Sequence, residues 1–105
     1  GISIMTKKSN YMLKREAILK EELNEELPEV LFSCYLSLAC TSASTGTPIT
    51  NEEIHDAWSI WKNTVDSSHV SIIPYNQLSI EIQELDTPYT DAVNRAADRI
   101  KELKE

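Results

Sequence analysis

Between positions 55 and 75 the chain gathers both of its histidines, both of its tryptophans and a tyrosine. An imidazole can donate, accept or carry a cation, and indole and phenol rings pair a flat apolar face with a polar edge. On a helix, His55, Ser59 and Lys62 share one face and Trp58 lies beside it. Such a face offers a ring for stacking and two cationic or donor groups for a phosphate. Packing is the competing role. Trp58 and Trp61 at helical spacing serve equally well as core anchors with His55 at the surface. His69 serves equally well to satisfy a buried backbone carbonyl and pin a turn before Pro74 and Tyr75.

Other chemistries find no pattern to stand on. Two histidines and the separated Cys34 and Cys40 give neither Cys-x-x-Cys nor His-x-x-x-His, so no metal is expected. Ser67 and Ser68 adjoin His69, but adjacency is not triad geometry, and no Gly-x-Ser-x-Gly elbow exists. Two glycines cannot build a phosphate loop. A non-enzymatic chain without a cofactor is the expectation. Arg95 and Arg99, four apart on a helix, suit a phosphate clamp, the negative end of that helix, or a pairing with Asp91. Glu21, Glu22, Glu25, Glu26 and Glu29 form either a solvated acidic face or a docking patch for a basic partner.

Bulk properties bound the rest. The 105 residues suit one core, with 41% hydrophobic and 26% charged residues as in an ordinary soluble domain. A net charge of −7 with no basic cluster argues against duplex nucleic acid. No apolar run approaches the ~18 residues of a membrane span, and no apolar block near the start marks a secretory signal. Cys34 and Cys40, six apart in an apolar run, would point to different helix faces and read as buried thiols of a reducing, cytoplasmic compartment. Residues 1–8 read as a vector scar and a flexible lead-in, leaving residues 9–105 as a single domain.

The elements that must position these groups are legible from caps and periodicity. A first helix starts at Ser9 or Asn10, with Tyr11, Leu13, Ala17 and Ile18 as its apolar stripe and Lys14, Arg15 and Lys20 on its wet face. Pro28 ends that segment and opens a second helix to about Ala43, whose largely apolar surface predicts a central core role or an oligomer interface. Thr41 to Pro48 reads as a loop. Thr50-x-x-Glu53 is a capping box before Ile54, Ala57, Trp58, Trp61 and Val65, the strongest helix signal in the chain. Residues 69–75 read as a short extended segment. Ser79 caps a short helix with Ile80, Ile82 and Leu85, and Asp86 caps a last helix with Pro88 in its first turn. The predicted fold is mainly α, with about five helical segments, two of them short or irregular, and one short extended segment.

Glu53-Ile54-His55-Asp56-Ala57-Trp58 followed by His69-Val70-Ser71-Ile72-Ile73-Pro74-Tyr75-Asn76-Gln77-Leu78 resembles the ryanodine-receptor repeat. That repeat carries a His-x-x-Trp helix, then a His-Pro-x-Leu-Val-Pro-aromatic-x-x-Leu segment. The likeness spans roughly Thr50 to Ala97. It departs in the shorter connector at Asn63 to Ser68 and in Val70, where proline is common. What the resemblance implies is a small non-catalytic recognition domain, with a nucleotide-derived signal as ligand and sequestration in phage or host defence as its use. The candidate ligand-binding residues are His55, Trp58, Lys62, His69, Tyr75 and Arg95. The competing expectation is a protein-interaction or inhibitor module using the acidic and apolar helices, and the apolar second helix makes a homo-oligomer a further expectation.

Overall fold

The computed structural model describes residues 9–105, and the expected vector scar lies outside the described residues. Four long helices carry the fold: α1 (Asn10–Leu23), α2 (Glu29–Thr45), α3 (Asn51–Val65) and α5 (Thr87–Lys101). Between α3 and α5 lie a 3-10 turn (Tyr75–Gln77) and the short α4 (Ile80–Glu84). Among the described residues there is no strand, and no helix is long and apolar enough to cross a membrane.

Each boundary has a local cause. Ser9 caps α1 by accepting from the Met12 amide, and Asn24 ends it in the left-handed region at φ 53°. Pro28 sits just outside α2 as its cap and is not its first residue. Gly46 closes α2 at φ 75°, where a Cβ would be strained. The Thr50–Glu53 capping box forms with both of its reciprocal hydrogen bonds. Asp86 precedes α5, but its side chain makes no capping bond there.

The four most enclosed large side chains are Leu19, Tyr35, Ile54 and Val93, one from each long helix. The most extensive packing is α5 against α2 and α1, followed by α3 against α2. Ala92, Ala96 and Ala97 make the buried stripe of α5 shallow, so neighbouring helices can approach closely. The core role read for α2 is met by Leu31, Tyr35, Leu36 and Ala39. Cys34 and Cys40 are free thiols, half-buried rather than fully enclosed, and burial pushes the Cys40 thiol up.

Two readings of the first helix are corrected. Leu13 and Ala17 face solvent, whereas Arg15 is buried. Its guanidinium stacks 3.6 Å from the Tyr11 ring centre and forks onto both carboxylate oxygens of Glu105 at 2.6 and 3.0 Å. A charge spacing of this kind looks solvated because the partner lies at the far end of the chain. The expected extended segment is also corrected. The His69 amide donates to Asp66 and the Ile72 amide to His69, so residues 66–72 form two successive turns. With no neighbouring strand, these local bonds satisfy the backbone instead.

The connector between α2 and α3 is clamped to α5. Asn94 accepts from the Ile49 amide at 2.7 Å and donates to the Ile49 carbonyl at 3.0 Å. Nearby, Thr90 donates to the Asn51 side chain at 2.5 Å. On the opposite side Arg95 and Arg99 hold Glu22 at 2.8 and 2.9 Å, and Arg99 also holds Glu21 at 2.8 Å. Asn94→Ala should therefore cost about 1–3 kcal/mol in urea unfolding, because it strands the Ile49 backbone groups, with little change in the denaturant slope. The two guanidiniums hold the Glu22 carboxyl below its ordinary value of 4.5. The stability it contributes is therefore complete above that value and lost as pH falls through the lower folded value. Glu22→Gln should flatten this acid limb in pH-dependent thermal melts; an unchanged limb would show that the pair does not act on stability.

Candidate functional site

The capping box fixes the start of α3 and so the direction of every side chain along it. Ile54 and Ala57 enter the core, and His55, Trp58 and Trp61 follow on the neighbouring flank. His55 is buried, and its Nε2 lies 2.6 Å from the Ile73 carbonyl. A carbonyl oxygen only accepts, so Nε2 carries the proton and donates. The task read for His69, pinning the turn through a carbonyl, thus falls to His55. His69 instead accepts from the Ser71 amide through Nδ1 at 3.1 Å.

Rings pack around this bond. The His55 and Trp58 rings stack with centroids 5.8 Å apart, and Tyr75 tilts against His55 at 6.1 Å. His69 meets Trp58 edge-on at 5.3 Å. Below Tyr75, Gln83 donates to the Tyr75 and Leu78 carbonyls at 3.0 and 3.1 Å, tying α4 to the 3-10 turn.

On the other side of Trp58 opens a cleft of about 770 Å³, lined by His55, Trp58 and Trp61 of α3 and by Leu31 and Tyr35 of α2. Ile82, Leu85, Pro88 and Tyr89 form the facing wall. Its carboxylates are Glu25 and Glu26 from the turn between α1 and α2, and Asp86 before α5. Among the described residues the lining contains neither lysine nor arginine. A hydrogen bond to Glu25, helped by burial, pushes the Tyr89 hydroxyl up. Burial pushes the Asp86 carboxyl up. Burial chiefly raises Tyr35 as well.

Four of the six expected ligand-binding residues, His55, Trp58, His69 and Tyr75, come together as one ring cluster. Of these, His55 and Trp58 line the cleft, while His69 and Tyr75 stand behind them as support. Lys62 lies beside the cleft with its ammonium 5.2 Å from the centre of the Trp61 ring. Arg95 does not join them: it is bound to Glu22 on α1. The expected phosphate clamp or Asp91 pairing for Arg95 and Arg99 is replaced by the Glu21 and Glu22 contacts. Sequence reasoning missed Tyr35, Tyr89 and Asp86 as lining residues, and read Glu25 and Glu26 only as part of an acidic face or docking patch. Tyr35 and Tyr89 stand 5.9 Å apart, yet no short-range spacing links residues on two separate helices.

The chain belongs to a family described as a domain of unknown function (DUF7701), whose model matches residues 10–98. No curated protein and no solved structure matches the chain.

The ring cluster hangs on the His55 donor. His55→Phe keeps a flat ring but orphans the Ile73 carbonyl. It should lower stability by about 1–3 kcal/mol and accelerate deuterium uptake across residues 69–75 well beyond that elsewhere. Uptake unchanged in that segment would show that His55 does not pin it.

Proposed function

We propose that this DUF7701-family domain is a non-catalytic binding module whose cleft takes a cationic or neutral group with an aromatic or aliphatic body. One observation carries the reading: aromatic walls from Tyr35, Trp58, Trp61 and Tyr89 combine with three lining carboxylates, and with no lysine or arginine among the described lining residues. An amine seated there meets ring faces and carboxylates together, as in cation–π sites. A phosphate would meet like charge from Glu25, Glu26 and Asp86.

The hydrogen bonds also favour binding over catalysis. Nε2 of His55 is protonated towards Ile73, so it has no lone pair for the Ser59 hydroxyl 3.4 Å away. That hydroxyl donates instead to the His55 carbonyl at 2.8 Å. A nucleotide-derived signal, implied by the resemblance to the ryanodine-receptor repeat, is the second reading. Its support is Trp58 as a stacking face and Lys62 over the Trp61 ring.

Titration calorimetry with tryptamine, indole-3-acetate and AMP separates the two. The first two probes share a ring and differ in the sign of their charge. Tryptamine should bind, indole-3-acetate should not, and Trp58→Ala should weaken tryptamine by about 1–3 kcal/mol. Binding of AMP or indole-3-acetate in preference to tryptamine would replace the proposal with the nucleotide or anion reading.

A further inference from the structure

A second hollow of about 690 Å³ lies directly beside the cleft, lined by Phe32 and Ser33 of α2, Lys20 of α1, and Glu29. The two hollows share Glu25, Glu26 and Leu27, so the turn between α1 and α2 forms a saddle between them. Each alone falls within the ~300–1,000 Å³ of small-molecule sites, but side by side they exceed what one such ligand fills. The floor of the pair is apolar across the saddle, running through Leu27, Leu31 and Phe32. At the cleft lip Leu85 is 64% and Ile82 39% exposed. Around this strip stand Glu25, Glu26, Glu29 and Asp86; among the described residues Lys20 is the one lysine or arginine lining either hollow, and its ammonium already lies 5.7 Å from the centre of the Phe32 ring.

Resting on the cleft reading above, we infer that the occupant is a basic amphipathic segment of a partner protein, laid across the Glu25–Leu27 saddle and filling both hollows. Its apolar side chains seat on Leu27, Phe32 and Leu85, and its lysines or arginines meet the surrounding carboxylates. Charge complementarity selects this partner: an acidic rim around an exposed apolar strip repels acidic chains and gives a basic segment both contacts at once.

Fluorescence anisotropy with a labelled lysine–leucine peptide of about 12 residues, patterned as an amphipathic helix, tests this on the full chain. The peptide should bind saturably and be displaced by tryptamine. Glu26→Lys and Leu85→Ser should each weaken it about fivefold, and Asp56→Lys less than twofold. Glu26, Leu85 and Asp56 are all exposed, and both charge reversals change the net charge equally. Equal weakening by Glu26→Lys and Asp56→Lys would mean unspecific attraction to an acidic protein and would overturn the inference. So would indifference to Leu85→Ser or to tryptamine. Peptide silence while tryptamine still binds by calorimetry overturns the peptide inference alone; silence of both probes overturns the cleft reading too.

Discussion

Burial of one face of α5 is the constraint on which the rest of this structure depends. Thr90, Ala92, Val93, Ala96, Ala97 and Ile100 form that face. Its alanines keep it shallow, so α1 and α2 both pack onto it. Polar groups flanking the buried stripe then tie down the remaining elements. Asn94 holds the backbone at Ile49 and so the start of α3, while Arg95 and Arg99 hold the end of α1. Tyr89 reaches the Glu25 carboxylate in the turn between α1 and α2. One helix therefore sets the positions of α2, of α3 and of the turn between α1 and α2, all of which line the cleft.

The cleft inherits its character from that arrangement. Near the start of α5, Asp86, Pro88 and Tyr89 face Trp58 and Trp61 across a gap that the bundle leaves open. The aromatic residues supply broad, stiff surfaces at small entropic cost. The carboxylates come from the turn between α1 and α2 and from the residue just before α5. On the far side of Trp58 the His55–Ile73 bond and the rings of His69 and Tyr75 fix the indole from behind. The same ring cluster is thus structural on one side and available to a ligand on the other.

Much of the fold was legible because its signals are local. The capping box at Thr50, the glycine and proline punctuation, and the 3.6-residue periodicity of α3 and α5 all act within a few residues. What escaped depends on distant partners. Arg15 reads as solvated until Glu105 arrives from the other end of the chain. Residues 69–75 read as extended from their β-favouring composition, yet without a strand to pair with they fold into turns. For the site, proximity in sequence found the His55, Trp58, His69 and Tyr75 cluster. Tyr35, Asp86 and Tyr89 come from α2 and from the start of α5, so only the assembled bundle brings them to the cleft. Arg95 was drawn toward the site by its charge type alone, whereas the geometry gives it to Glu22.

The electrostatic character of the cleft can be measured without knowing its occupant, because both tryptophans of the chain line it. In a Trp61→Phe variant, Trp58 reports alone and the Lys62–Trp61 contact is removed. Collisional quenching of its fluorescence by caesium and by iodide then compares access of a cation and an anion to the same ring at equal ionic strength. With each constant taken relative to that of free N-acetyltryptophanamide, caesium should give the clearly larger value. Equal or stronger quenching by iodide would contradict an acidic, cation-accepting cleft.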